Sequence, residues 1–126
     1  MDGSDCEREL VELFYDIDGS ALRIPASGSR TKLPRPDVLG YYRGTHYPIE
    51  VKASSSDYCS FDMTDISGLK EYADSIDEIP YGAGRFSYDT NFYFVDMSDI
   101  DKPFSIKRNK KDSYMTFDEL LYPSWR

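Results

Sequence analysis

Two carboxylates and one lysine stand among apolar residues in the stretch PDVLGYYRGTHYPIEVK, residues 36–52. If this stretch folds as a β-hairpin whose turn is centred just after Arg43, Asp37 lies opposite Glu50, and directly opposed Cβ atoms are about 5 Å apart. Glu50 and Lys52 are two residues apart, so they project to the same face of their strand. Carboxylates this close repel each other unless a proton or a cation lies between them. The spacing therefore indicates either a charged surface hairpin or a metal site.

Glu7 is a further carboxylate with two possible roles. Ser4 and Glu7 have the S-x-x-E spacing of a capping box, in which the glutamate side chain returns to the Ser4 amide. Glu7 also precedes Leu10, Val11 and Phe14 by three, four and seven residues, which places it on the apolar stripe of the predicted first helix. A carboxylate on that stripe needs a partner, and a metal ion is one candidate.

Carboxylate oxygens without His or Cys are the ligands that suit Mg²⁺ or Mn²⁺. These ions keep several waters and bind phosphate oxygens, and a lysine beside them can orient a water or stabilise charge on a reacting phosphate. Glu7, Asp37, Glu50 and Lys52 together therefore predict phosphodiester hydrolysis.

The elements that must position these residues alternate between helix and strand. The periodicity predicts a helix that ends at Asp18, an edge strand at 21–24, hairpin strands at 38–42 and 47–53, a helix over 62–76, a loop at 81–89, strands at 91–97 and 104–108, and a short helix at 116–121. We expect one α/β domain over residues 1–126, with a mixed β-sheet and few helices.

The net charge of −8 argues at first sight against a nucleic-acid partner. The charge is unevenly distributed, however, because residues 19–52 contain six basic and two acidic side chains, a net +4. The acids are mainly aspartate, 16 against 7 glutamates, and lysine is sparse at 7 residues. This composition resembles that of proteins from salt-loving archaea, although a moderately acidic mesophilic protein remains an equal alternative.

Cysteine content and hydropathy predict a soluble, cytoplasmic protein. The N-terminus MDGSDCERELV is acidic where a secretory signal is basic and then apolar, and the sequence has no apolar run long enough to span a membrane. Cys6 and Cys59 lack metal-ligand spacing, and we expect them to be free thiols.

The D-x12-E-x-K pattern formed by Asp37, Glu50 and Lys52 resembles the core of the PD-(D/E)XK nuclease superfamily. The flanking segments GSDCERELV, RIPASGSR and FDMTDISGLKEYADSI resemble the archaeal Holliday junction resolvases in content, order and spacing, over roughly residues 3–80. This resemblance implies a restriction-endonuclease-like fold, in which helices flank a mixed β-sheet.

The resemblance also implies roles for individual residues. Glu7, Asp37 and Glu50 would bind Mg²⁺, with Mn²⁺ as a substitute, Lys52 would assist the attacking water, and Ser29 would be the active-site serine of a mobile loop. Arg8 and Arg23 match DNA-binding positions, and Arg30 and Lys32 fill the basic loop. For Ser29 a plain turn residue is the alternative. The implied partners are four-way junction DNA and a second copy of the chain, with no membrane and no organic cofactor.

Two other functions remain open from the sequence. One is a PD-(D/E)XK endonuclease of restriction or repair type. The other is a non-catalytic acidic protein that mimics DNA, in which the acids would cover one continuous face without basic surroundings. The basic run at residues 107–112, KRNKKD, is either a solvated loop or an additional phosphate-binding segment.

Overall fold

The computed structural model describes residues 3–25 and 33–123. The helices are α1 (Gly3–Asp16), α2 (Met63–Ser75) and α3 (Phe117–Leu121), and a 3-10 helix spans Arg108–Ser113. The strands are β1 (Ser20–Arg23), β2 (Val38–Tyr42), β3 (Thr45–Ser54), β4 (Tyr58–Phe61), β5 (Tyr81–Phe86), β6 (Phe92–Asp96) and β7 (Phe104–Lys107). Five strands form a mixed sheet in the order β1-β2-β3-β5-β6, and β4 pairs with β7 in a second sheet. The predicted fold class, a mixed sheet flanked by helices, is confirmed.

The β2–β3 hairpin has the predicted register. Val38 pairs with Ile49 and Tyr42 with Thr45, around a tight turn at Arg43 and Gly44. Both turn residues have positive φ, 47° and 84°, as two-residue hairpin turns require. The ladder ends at the Val38–Ile49 pair, and the Asp37 amide also donates to the Ile49 carbonyl, so Asp37 lies directly beyond the ladder and next to Glu50.

The two faces of β3 have different roles. Ile49 and Val51 are buried in the core that α1 covers, together with Leu10 and Phe14 of that helix. The intervening residue Glu50 faces the other side of the sheet, where α2 and the β4–β7 sheet lie. The sheet thus divides the molecule into an apolar side under α1 and a side on which charged residues of β3 reach a cleft.

Strand β5 is a correction to the sequence prediction, which assigned residues 81–89 to a loop. Residues 81–86 form the strand that pairs in parallel with β3 and antiparallel with β6, next to the centre of the sheet. Its glycines serve packing rather than a turn: a Cβ on Gly82 would lie 2.2 Å from Met97 Cε, and one on Gly84 would lie 3.2 Å from Cys59 Sγ. The two glycines therefore allow a second core, which includes Cys59, Phe61 and Met97, to pack closely on β5.

Helix α1 also differs at its start from the prediction. Ser4 lies inside the helix rather than before it, and the Glu7 side chain accepts a hydrogen bond from Arg23. The structure therefore supports the second reading of Glu7, as a partly buried carboxylate with a partner outside the helix. At the other end of α1 the ring of Phe14 packs on Gly40, where a Cβ would come within 2.3 Å of the ring.

Helix α2 begins with a capping box that the sequence analysis did not use. The Asp62 side chain accepts from the Asp65 amide, and the Asp65 side chain accepts from the Asp62 amide. Ile66, Leu69 and Ala73 then form the buried face of α2. This capping box fixes the first turn of α2, and with it Asp65, beside β3.

Among the described residues Arg85 is the one buried charged residue, and it connects α1 to the central sheet. Its guanidinium binds the Glu9 carboxylate at 2.9 Å and 3.4 Å and donates to the Phe86 carbonyl at 2.8 Å. A buried guanidinium is strongly destabilising without a counter-charge. The Glu9–Arg85 pair therefore fixes the position of α1, the helix that carries Glu7.

Cys6 and Cys59 are both buried free thiols, as predicted. Burial raises the pKa of the Cys59 thiol to about 11, so the thiol stays protonated at neutral pH. No helix within the described part of the chain has the length and apolarity needed to cross a membrane.

We expect Glu9→Gln to lower the free energy of unfolding by about 1–3 kcal/mol, because the substitution leaves the Arg85 charge buried without its counter-charge. Glu12→Gln, an exposed position on the same helix, is the matched control and should change stability by less than about 0.5 kcal/mol. Urea unfolding of both variants measures the difference. Equal midpoints would show that the ion pair does not fix α1.

Candidate active site

Hydrogen bonds at the open end of the β2–β3 hairpin hold Asp37 in place. Strand β2 begins at Val38, so the Val51 amide of β3 has no backbone carbonyl of β2 opposite it. The Asp37 Oδ2 atom takes that place and accepts the Val51 N–H at 2.9 Å, while the Asp37 amide donates to the Ile49 carbonyl at 3.0 Å. The Asp37 carbonyl in turn accepts from Ile24 at 2.9 Å. These three hydrogen bonds fix the carboxylate at the point where β1, β2 and β3 meet.

Glu50 lies next to Asp37 in a largely buried position, and its side chain is only 12% exposed. Burial, followed by the negative charges of Asp37 and Asp65, raises the pKa of Glu50 to about 9. In its protonated form Glu50 can share a hydrogen bond with Asp37. Without a cation, the two carboxyl groups therefore hold a proton at neutral pH.

Lys52 provides the positive charge of the group. Its Nζ atom lies 3.1 Å from Asp65 Oδ2 and 3.9 Å from Glu50 Oε2. Burial disfavours the charged ammonium, but the hydrogen bond and charge of Asp65, together with the charge of Glu50, outweigh it and raise the pKa of Lys52. Lys52 is therefore a protonated lysine held beside the carboxylate pair.

Asp65 is a member of the cluster that the sequence analysis missed. It lies in the first turn of α2, where the capping box orients its carboxylate, and it contacts Lys52 more closely than Glu50 does. The signal was present in the sequence, because D-x-x-D before an apolar stripe predicts a helix start. Its contact with β3, however, depends on how α2 docks on the sheet.

Glu7 approaches the site from α1. Its Oε1 atom accepts a hydrogen bond from Arg23 Nε at 3.2 Å. Burial, followed by the negative charge of Asp37, raises the pKa of Glu7, while Arg23 and Arg8 act in the opposite direction. Glu7 is thus electrostatically coupled to Asp37 but is engaged with Arg23 in this structure.

The other residues that the sequence singled out are distributed around this group. Arg8 is exposed on α1 and pairs with Asp5 at 3.4 Å, and Arg23 is at the end of β1. Ser29, Arg30 and Lys32 lie outside the described residues. Arg35, which the sequence analysis did not select, lines the cleft of about 490 Å³ that contains Asp37 and Glu50, as do Thr64 and Gly68 of α2.

The potential metal ligands at this site are carboxylate oxygens. Among residues 3–25 and 33–123, no three Asp, Glu, His or Cys side chains form a group that could hold an ion on their own. Asp37 and Glu50 do provide two adjacent carboxylates at an open cleft. Mg²⁺ is usually bound by one or two carboxylates, several waters and the phosphates of its substrate, so this arrangement fits Mg²⁺. A metal that requires a complete protein cage does not fit it.

In metal-free protein, Glu50→Gln should become increasingly stabilising, relative to wild type, as the pH rises. Wild-type Glu50 retains a proton up to about pH 9 in the folded chain, whereas the unfolded chain loses it near pH 4.3. Folding stability therefore falls between these values, by up to about 1.4 kcal/mol per pH unit, and glutamine removes this loss. Melting temperatures in EDTA at pH 5, 6.5 and 8 measure the difference.

Glu71→Gln on the exposed face of α2 is the control. Its melting temperature should differ little from that of wild type at all three pH values. If the difference in melting temperature between Glu50→Gln and wild type did not change with pH, the two carboxyl groups would not share a proton in the folded protein.

Comparisons with known proteins agree with this fold. The sequence model of the family described as archaeal Holliday junction resolvase (Hjc) matches residues 1–121. Among solved structures, the Holliday junction resolvase Hjc from the hyperthermophilic archaeon Archaeoglobus fulgidus is similar, with a TM-score of 0.80 and 20% sequence identity over 94% of this chain and 98% of that chain. No curated protein sequence matches the chain significantly. Because the family match extends over nearly the whole sequence, the chain belongs to the archaeal Holliday junction resolvase family.

Proposed function

We propose that this chain is a Mg²⁺-dependent, structure-selective endonuclease that resolves four-way DNA junctions by hydrolysing one phosphodiester in each of two symmetric strands. The observation that carries this proposal is the partly buried Asp37–Glu50 carboxyl pair beside Lys52, in a cleft open to solvent. A pair that must otherwise hold a proton is a site that favours a divalent cation.

Asp37 and Glu50 would hold the ion, and Glu7 would approach it after releasing Arg23. Mn²⁺ has similar ligand preferences and would substitute for Mg²⁺. Bound Mg²⁺ supplies Lewis-acid polarisation of the scissile phosphate and lowers the pKa of a coordinated water. The Val51 amide keeps Asp37 in place through its hydrogen bond of 2.9 Å. The protein thus supplies the fixed oxygen ligands and the closely packed backbone behind them.

Lys52 would orient the attacking water and stabilise negative charge on the phosphate, since its ammonium lies next to Glu50 on the same face of β3. Asp65 keeps that ammonium protonated and limits its rotation through the contact at 3.1 Å. The lysine therefore acts as a positioned cation, and Asp65 acts through it as a positioning residue.

Arg35 lines the cleft, Arg23 bonds Glu7 at the end of β1, and Arg8 is exposed on α1. These three cations would contact phosphates on either side of the scissile bond. We assign the same role to Arg30 and Lys32, and an active-site role to Ser29, on the resemblance of their segment to the family. Phosphate contacts of this kind set the register of a protein on DNA.

A homodimer follows from the symmetry of the reaction. Each chain carries one Asp37–Glu50–Lys52 group among its described residues, whereas resolution needs two cuts in symmetric strands. A two-fold dimer presents two identical clefts to the two-fold axis of a junction. Membership of the resolvase family favours this activity over a restriction-like or repair-type nuclease and over a DNA mimic.

Asp37→Asn and Glu50→Gln should each abolish junction cleavage in Mg²⁺ and leave junction binding largely intact, because each removes a metal ligand without removing a phosphate contact. The assay compares a four-way junction, a flap and linear duplex, with Mg²⁺ and with EDTA. Paired nicks confined to the junction are the expected wild-type result. Equal cutting of linear duplex would favour the restriction-type alternative, and near-normal cleavage by either variant would rule out this site.

Asp65→Asn should lower kcat by about 10- to 100-fold, because a misplaced catalytic group has a cost of that order. Asparagine keeps an oxygen that accepts the Asp62 amide, so the capping box persists while the charge that holds Lys52 is lost. Asp74→Asn, on the exposed face of α2, is the matched control. If Asp65→Asn changed KM alone, or if both variants were equally active, Asp65 would not position Lys52.

A further inference from the structure

The second basic segment of the chain has no role in the site described so far. Lys107, Arg108, Lys110 and Lys111, here called the basic tract, lie at the end of β7 and in the 3-10 helix that follows. Residues 102–126 have six basic and three acidic side chains, a net +3 in a chain of net −8. Residues 19–52 and 102–126 thus carry a net positive charge while the rest of the chain is net negative, and the first of these segments contains the candidate active site.

The surface of the β4–β7 sheet connects the basic tract to the active site. Ser60 pairs with Ser105, and one step along the face Tyr58 pairs with Lys107. A hollow of about 440 Å³ is lined by Lys52 and Asp65 at one end and by Ser60 and Ser105 at the other. A second hollow, of about 370 Å³, then follows the same sheet and is lined by Tyr58, Arg108, Asn109 and Lys111.

The chain between these hollows is short, since three residue steps along β7 span about 10 Å. Along DNA this distance corresponds to about three base pairs, at 3.4 Å each. The basic tract therefore lies about three base pairs beyond Ser105, which lines the same hollow as Lys52, and a duplex arm at Lys52 can extend to it.

The basic tract is held in place before any ligand binds. The Lys107 amide donates to the Tyr114 hydroxyl at 2.8 Å, and the Arg108 amide donates to the Asp57 carbonyl at 2.9 Å. Beyond the 3-10 helix, Met115 forms a β-bridge with Phe94 in the main sheet. A backbone fixed at both ends presents its cations with less ordering cost than a flexible loop would.

The positive charges of the basic tract are largely available to a ligand. Arg108 lies 3.9 Å from Asp57, both exposed, which is a weak surface pair. Within the described part of the chain, Lys107, Lys110 and Lys111 have no carboxylate oxygen within 4.0 Å. The acids near them include Asp112 in the same helix and Asp89. The Asp89 carboxylate accepts a hydrogen bond from the Tyr93 hydroxyl and interacts electrostatically with Lys111.

We propose that the basic tract binds the phosphate backbone of a DNA arm that extends from the active-site cleft across the β4–β7 sheet. The inference rests on the proposed function for the identity of the polyanion. It adds that this arm is held beyond the scissile phosphate, by contacts independent of the metal site. Continuity with the Lys52 hollow favours DNA over an acidic protein partner, because a separate partner would need no connection to the cleft.

The test is the salt dependence of junction binding in EDTA, where cleavage does not interfere. Each phosphate contact contributes about −0.9 to the slope of log K against log salt, so K110Q/K111Q should reduce the slope by up to about 1.8 and weaken binding about 10- to 60-fold at 0.1 M salt. K110R/K111R keeps the charges and should bind like wild type. Melting temperatures confirm that each variant is folded.

R43Q is the matched control for K111Q, because each removes one exposed positive charge and Arg43 lies in the hairpin turn at the far end of β3 from Lys52. R43Q should leave the slope unchanged, whereas K111Q should reduce it by about 0.9. Equal slopes for wild type and K110Q/K111Q, or equal losses for K111Q and R43Q, would overturn the arm-binding role. Those results would leave the nuclease proposal standing, since wild-type cleavage tests that proposal separately.

Discussion

The repulsion between Asp37 and Glu50 is the constraint around which the site is organised. Two adjacent carboxyl groups, one of them nearly buried, are unfavourable in any fold that does not provide compensation. Here the compensation is local: the Val51 amide binds Asp37, and Lys52 lies beside Glu50. Neither contact removes the need for a proton or a cation between the two carboxyl groups, since the pKa of Glu50 remains raised to about 9. The scaffold thus holds two carboxyl groups close together, and a bound divalent ion can relieve the repulsion between them.

The central strands keep this unfavourable pair from relaxing. β3 is bonded on one side to β2 and on the other to β5, so Glu50 and Lys52 cannot turn towards solvent without breaking the sheet. The opposite face of β3 is anchored by Ile49 and Val51 in the core under α1. Gly82 permits the second core to pack directly behind the pair, because Glu50 and Gly82 are neighbours across β3 and β5. Tight packing on both faces is what allows the site to retain its like charges.

Local sequence was sufficient to predict the hairpin and hence most of the site. A two-residue turn fixes the register, and alternation then determines which side chains share a face, so Asp37, Glu50 and Lys52 follow from residues 36–52 alone. The pairing of β5 with β3 joins residues about thirty positions apart, and its glycines read locally as a turn. Asp65 was missed for a related reason. Its helix start was recognisable, but its contact with Lys52 depends on the docking of α2 on the sheet, which no local pattern records.

An overall charge of −8 is compatible with DNA binding when distance is considered. At about 0.1 M salt, exposed charges are screened over roughly 10 Å, so a phosphate responds to the side chains nearest to it rather than to the net charge. Asp77 lies beyond the C-terminal end of α2, about 18 Å along the helix from Asp65, and acts little on the cleft. Acidic side chains far from the cleft, such as Asp77, repel DNA that approaches from other directions. An acidic chain with two connected basic segments would therefore accept DNA in few orientations, and such selectivity suits an enzyme that must recognise the shape of its substrate rather than its sequence.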